Sequence, residues 1–377
     1  MSNKAQVASG IIAYFTQNAQ PGSTLSPMCR RILGTVAAKV DSLDWLLDAS
    51  AHRTPLELSL LLTAGMHRQV LRRVPEAHSL RDYYPSVGGS RSHEDTQFPN
   101  LFLDVMEDCK DKLIPIIKTE TVQTNETQRG LFWLFPAILT GWSHLHLVDL
   151  GASAGLNLVA DQRRFTWSDG DNTLSFGAAA NEQFVSQIRP RVPQFWTKDP
   201  RIPAIVSRSG CDLHPFPLKT EADRAKLESF VWPDQLHRFA RLHEGIEAHK
   251  HLSQQQPMAI EQASLPHDLP KFLSSLDLND DNPIVIYNTY ITTYLENEGS
   301  ALRGYIDEWA TSHNRKVMWV QSEPTEISPV EHHWCAWTVD LWEGKEKHSW
   351  QLGWVHPHGI EIDFLDGLED FEAFFRK

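Results

Sequence analysis

The residues best suited to chemistry lie in "HLHLVDLGASAGLNLVADQ", His144 to Gln162. An apolar run ends in Asp149, and Gly151 and Gly155 then flank Ala152, Ser153 and Ala154. Glycine lacks a Cβ, so the backbone can turn sharply there and a ligand can come close. The small neighbours keep the floor of the turn flat. A helix beginning near Gly155, with Asn157 in its first turn, would aim free N–H groups at whatever sits there. Asp149 can accept hydrogen bonds from loop amides or from a ligand amine. The competing reading is a tight strand-to-helix turn with a purely structural task.

More polar residues stand at the ends of later apolar runs. "AIVSRSGCDLHPF" leads to Asp212 and His214, and "MAIEQASLPHDLP" to Gln262, Ala263, Ser264 and Asp268. "IVIYNTYITTYL" supplies Asn288, Thr289 and Tyr290. Upstream, "VQTNETQRG" packs Gln123, Asn125, Glu126, Gln128 and Arg129 together. That cluster either lines a pocket mouth or is a polar connector capped by Thr124 or Asn125. "EHHW" (331–334) and "HPHG" (356–359) raise the question of a metal. Two imidazoles two residues apart do not make the three- or four-ligand set that zinc needs, so no metal site is expected. No G-x-S-x-G elbow and no phosphate-loop lysine motif is present, which leaves hydrolase and nucleotide triphosphatase readings without support.

The elements that must position these residues change character near residue 142. Before it, helical signals dominate. "SPMCRRILGTVAAKVDSLDWLLDA" opens on Ser26 as N-cap with Pro27 at the first turn, and "TPLELSLLLTAGMHRQVLRR" repeats the device with Thr54, Pro55 and Glu57. "LFLDVMEDCKDKLIPIIKTE" and "GLFWLFPAILTGW" read as further helices, so 1–141 is expected to be an all-helical region. After it, short Val- and Ile-rich runs alternate with helical segments, the pattern of a parallel α/β sheet buried on both faces. The expected architecture for 142–377 is a mostly parallel α/β sheet. "CAWTVDLWEGKEKHSWQLGWVHPHG" should close it with an antiparallel hairpin at one edge. About forty residues separate the first strand–helix unit from the second strand, where a short loop would suffice. They include the hairpin pattern "RRFTWSDGDNTLSFG", and an insertion around 163–203 at the edge of the site is expected.

Composition bounds the function. The chain has 377 residues, of which 35 are Lys or Arg and 48 are Asp or Glu, giving a formal net charge of −13. Such a surface repels nucleic acid and anionic membrane, so a small-molecule partner is expected. Cys29, Cys109, Cys211 and Cys335 lie far apart with no C-x-x-C pair, as expected of isolated buried thiols in a reducing compartment. The N-terminus lacks a signal-peptide pattern and no apolar run reaches the ~20 residues of a membrane span, so a soluble cytoplasmic protein is expected.

The dinucleotide fingerprint G-x-G-x-x-G is absent, which argues against an NAD-dependent oxidoreductase. D-L-G-A-S-A-G resembles instead the first motif of Rossmann-like methyltransferases that use S-adenosylmethionine, and the D-x-G-A-S/A-x-G turn of heat-shock-type RNA methyltransferases in particular. The resemblance implies that Asp149, Gly151, Ala152, Ser153, Gly155 and Asn157 surround the cofactor. It also implies that Asp212 holds the ribose hydroxyls and that Ala263 and Ser264 lie beside the adenine. Asn125 or Arg129 would hold the methionine carboxylate. Asn288 and Tyr290 would lie over the transferred methyl, with His214 as a candidate base. The stretches "YYPSVGG", "VQTNETQRG", "DLGASAGLNL", "SGCDLHP", "VWPDQLHR" and "HPHG" together are similar to a bacterial family of unknown function, domain-of-unknown-function family 2332. That similarity implies a helical region joined to a methyltransferase-like domain and carries no substrate. The other reading is a non-catalytic binding module that keeps such a fold.

Overall fold

The computed structural model describes residues 3–123, 126–177, 184–189, 201–325 and 334–376. Its helices are α1 (Asn3–Asn18), α2 (Pro27–Ala37), α3 (Asp44–Ala49), α4 (Pro55–Leu71), α5 (Phe98–Asp108), α6 (Lys110–Thr119), α7 (Leu131–Leu139), α8 (Glu221–Ser229), α9 (Leu236–Ser253), α10 (Leu269–Ser275), α11 (Ser300–Thr311) and α12 (Gly367–Phe375). The strands are β1 (His144–Leu150), β2 (Arg164–Ser168), β3 (Thr173–Gly177), β4 (Phe184–Arg189), β5 (Ala204–Asp212), β6 (Ala259–Gln262), β7 (Ile284–Thr289), β8 (Lys316–Pro324), β9 (Cys335–Glu343), β10 (Glu346–Val355) and β11 (Glu361–Phe364). Packing divides the chain into two compact units, Met1–Asn125 with Pro217–Leu242, and Glu126–Phe216 with His243–Lys377.

The first unit is helical, and its helices start where the sequence signals place them. Ser26 accepts a hydrogen bond from the Cys29 amide at the start of α2. Thr54 and Glu57 form a reciprocal capping box on α4, satisfying two amides that the helix itself cannot. α4 is buried on almost every side from Leu58 to Val70, His67, Arg68 and Gln69 included, and is the central helix of this unit. The segment 217–242 joins it from far along the chain. The Ser229 carbonyl lies 3.2 Å from His67 Nδ1, and the Met28 amide donates to Asp234 at 2.9 Å.

The second unit is built on one eleven-stranded sheet of order β3-β2-β4-β11-β10-β9-β8-β7-β1-β5-β6. β6, β5, β1, β7 and β8 are mutually parallel. β9 is antiparallel to β8, β10 to β9 and β11 to β10. A mostly parallel α/β sheet with an antiparallel part and a helical N-terminal region is therefore present. The placement of two segments differs from expectation. The β9–β10 hairpin lies inside the sheet, because β11 continues it and β4 pairs parallel with β11. The segment after Arg163 lays β2, β3 and β4 at the end of the sheet remote from β6, with β2 parallel to β4 and antiparallel to β3. Of 163–203, residues 178–183 and 190–200 fall outside the described residues.

The aromatic residues explain that extension. Trp167 of β2, Phe176 of β3, Trp337 of β9 and Phe364 of β11 gather around Phe135 of α7, with ring centroids 4.4–6.2 Å away. α7 is apolar on all faces and buried from Leu131 to Ile138, so it belongs to the core of the sheet rather than to the helical region. Among the described residues no helix is long and apolar enough to cross a membrane.

Candidate functional site

The parallel strands reverse direction of travel at β1. From it the chain passes to β5 and β6 on one side and then returns to β7 and β8 on the other. Numbered by their order along the chain, the five parallel strands read third, second, first, fourth, fifth, the doubly wound arrangement. In such sheets the crevice beyond the carboxyl ends of the two central strands is open, because the connections leave in opposite directions. Here Asp149 to Gly151 and Asn288 to Tyr290 flank it, with Leu150 in register with Asn288.

The glycine turn is tightly constrained. Gly151 and Gly155 have φ of +84° and +75°, and Ser153 is also left-handed at +50°. A Cβ on Gly151 would collide with Ile291, and one on Gly155 would lie 2.7 Å from Ile260. The turn's amides are mostly engaged. Gly151 and Ala152 both donate to the Cys211 carbonyl (2.8 and 3.0 Å), and Gly155 donates to Ala152 O (2.7 Å). Ser153 N donates to Asp212 Oδ2 (2.8 Å). The expected α-helix after Gly155 is replaced by a 3₁₀ stretch, Leu156–Gln162, broken at Val159. Arg208 causes this locally: it reaches from β5 to hold Asp161 in a buried bidentate pair (2.7 Å each) and to bond the Leu158 carbonyl. A buried pair of this geometry fixes the loop conformation more than it adds stability.

Asp212 acts as a strut. One oxygen takes the Ser153 amide and the other the His214 amide at 2.8 Å, while its own carbonyl accepts from Ala263 N at 2.9 Å. The end of β5, the glycine turn and the start of the loop after β6 are thereby joined. Ala263 is buried and Ser264, exposed, donates to Asp268 at 2.8 Å. His214 is exposed, and among the described residues no hydrogen bond or ring contact joins it to Asn288 or Tyr290. Asn125 lies outside the described residues.

Asp149 is 4% exposed, and among the described residues no group donates a hydrogen bond to its carboxyl. Burial, with the charge of Asp212 nearby, raises its pKa to about 8. Arg129 is equally buried and equally under-used. Its Nε donates to Pro357 O at 2.7 Å, its guanidinium lies 5.0 Å from the Tyr290 ring centroid, and among the described residues no carboxylate pairs with it. The Arg129 carbonyl accepts from Tyr287 OH at 2.7 Å. Tyr287 is the register partner of Asp149, and its phenol feels both the Asp149 and the Arg129 charge. Asn157 Oδ1 is buried without a partner.

Asn288 is closed to any substrate. Its Oδ1 accepts from Trp319 at 2.6 Å and its Nδ2 donates to Glu323 at 2.6 Å. Glu323, which sequence reasoning missed, also accepts from Ile291 N (3.1 Å), Thr292 N (3.0 Å) and Thr292 Oγ1 (2.8 Å). Burial nevertheless raises its pKa. This network locks the turn that holds Tyr290 at φ +59°. The signal for Glu323 was an acid at the carboxyl end of the apolar run "KVMWVQSE". His249, also missed, lies 3.7 Å from where a Cβ on Gly155 would be, and burial lowers its pKa. Its signal was only one histidine among 18. Among the described residues no three His, Cys, Asp or Glu side chains gather as a metal site, and Glu331, His332 and His333 lie outside those residues.

A family model described as "Uncharacterized protein conserved in bacteria (DUF2332)" matches residues 13–364. No curated protein and no solved structure matches the chain.

Proposed function

The chain belongs to this uncharacterised bacterial family, and from that premise we propose that it binds S-adenosylmethionine at the carboxyl edge of β1, β5 and β7 and transfers its methyl group to a small molecule. One observation carries the reading. At the reversal of strand order, a glycine turn meets a buried cation and a buried acid that the described residues leave without charge partners. An unpaired buried cation is costly and a buried acid without a partner keeps its proton, so a ligand bearing both signs complements the two. An α-amino acid end group does so, with its carboxylate on Arg129 and its ammonium on Asp149 and Asn157 Oδ1. The spare lone pairs of Asp212 face ribose hydroxyls in this reading, Ala263 and Ser264 border the adenine, and Tyr290 borders the methyl.

The cofactor, when bound, supplies an already activated methyl group. The chain's own task is alignment and exclusion of water. Tyr290 is suited to it, since the Asn288–Glu323 network holds its backbone rigidly. Asn288, with both amide atoms engaged, is proposed as a positioning residue, and His214, exposed just after β5, stays the candidate base. The formal charge of −13 favours a small acceptor over a nucleic acid.

Calorimetry with S-adenosylmethionine and S-adenosylhomocysteine tests this. Micromolar binding is expected, weakened at least about tenfold in Arg129→Leu and Asp149→Ala variants shown by circular dichroism to be folded. Absence of binding at millimolar ligand would sink the proposal. The closed Asn288 favours one second reading, a binding module without turnover. It predicts the same affinities with no methyl transfer to any acceptor.

A further inference from the structure

We propose that a groove on α2 binds a small phosphate-bearing molecule through Arg30 and Arg31, a site independent of the methyl-transfer reading. The groove lies wholly within the helical unit, bounded by the chain leaving α1, by α2 and by the segment of Glu94 and Pro99. It encloses about 520 Å³. That volume suits a metabolite, since small-molecule sites run from about 300 to 1,000 Å³.

Charge pairing supplies the first argument. The chain has 48 acidic residues against 35 basic ones, and arginines elsewhere in it take carboxylate partners, Arg68 with Glu120 and Arg208 with Asp161. Among the described residues no carboxylate pairs with Arg30 or Arg31. Arg30 Nη1 donates only to carbonyls, those of Leu25 (3.0 Å) and Ser23 (3.4 Å). The half-buried Arg31 side chain makes no hydrogen bond among the described residues, and its Nε is buried without a partner. Burial of Nε anchors the guanidinium and leaves its two outer nitrogens open. A planar fork held this way matches two oxygens of a phosphate.

Position supplies the second. Both arginines stand near the N-terminus of α2, where the helix dipole disfavours cations, and an anion between them relieves that cost. The backbone cannot hold the ligand instead. Met28 N is spent on Asp234 and Cys29 N on Ser26. The Thr35 hydroxyl is spent on the Arg31 carbonyl at 2.8 Å. Pro21, Pro27 and Pro99 line the rest of the groove with apolar rings that carry no N–H, a wall for the carbon part of an organic phosphate. Glu94 also borders it, but its carboxylate is 73% exposed and lies 3.4 Å from His93, so solvent screens its repulsion.

The test is calorimetry of the full chain with pyrophosphate at ~0.15 M salt, where diffuse surface attraction is screened. A dissociation constant below about 1 mM is expected, weakened about tenfold or more in Arg31→Gln and in Arg30→Gln. Glu94→Gln should tighten binding about threefold. Arg72→Gln, which removes an exposed cation just after α4, should leave it unchanged. Succinate, with carboxylates in place of phosphate, should bind about tenfold more weakly. No binding at about 10 mM pyrophosphate overturns the proposal, as does an affinity that Arg31→Gln leaves intact. If Arg31→Gln does not melt cooperatively, Arg30→Gln decides in the same way. Equal weakening by Arg72→Gln would reveal a diffuse charge effect and overturns the site, and equal affinity for succinate overturns the phosphate class.

Discussion

Asp149 is an acid that folding makes weaker. Its pKa is about 8 in the folded chain against 3.8 for the ordinary group, so between those values the folded state holds a proton that the unfolded state has released. Stability then falls as pH rises through that window, by at most about 1.4 kcal/mol per pH unit. Asparagine imitates the protonated form. The stability advantage of Asp149→Asn over wild type should therefore grow from pH 5 to pH 7.5, measured by urea titration of both proteins. An advantage independent of pH would show that Asp149 is ionised in the free protein. A ligand ammonium would reverse the trend, and saturating S-adenosylhomocysteine should flatten the difference.

At the level of elements, two turns hold the site and each has an exposed weakness. The glycine turn needs φ of +84° at Gly151 and no Cβ there, because Ile291 fills that space. Gly151→Ala should cost about 2 kcal/mol or more, from the left-handed backbone and the displaced isoleucine together. A loss below about 0.5 kcal/mol in denaturant unfolding would mean that the β7 turn moves freely. That second turn depends on Trp319, Asn288 and Glu323. Asn288→Ala leaves a buried indole N–H and a buried carboxyl each short of a partner, an expected loss of about 2–4 kcal/mol. Equal stability of variant and wild type would show that water replaces the amide at no cost.

The whole molecule is two compact units, each assembled from two separate stretches of the chain. Residues 217–242 carry Leu227 and Val231, both buried, and Trp232 packs in the same core as α1 to α5. A fragment comprising Met1–Asn125 alone should accordingly lack a cooperative thermal melt, whereas the same fragment with 217–242 joined by a flexible linker should regain one. A cooperative melt of the shorter fragment would show that 217–242 is an accessory to that core.

Local physics was legible without coordinates. The caps of α2 and α4, the strand runs, the glycine turn and the order of polar strand ends all follow from patterns within about twenty residues. Pairing across the sheet was not. β2, β3 and β4 go to the remote end because Trp167 and Phe176 find Phe135, and Trp167 also Phe364, there, and nothing in 163–203 names those partners. The same limit governed the site. Asp149 and Gly151 stand out by spacing, while the Asn288–Glu323 bond and the approach of Arg129 to Tyr290 depend on segments that meet only once the sheet is assembled. Asn288 and His214 carry plausible chemistry as residue types. Tertiary structure closed one inside a hydrogen-bond network and left the other on the surface, because burial and partnership are properties of the assembled neighbours and not of the chain segment.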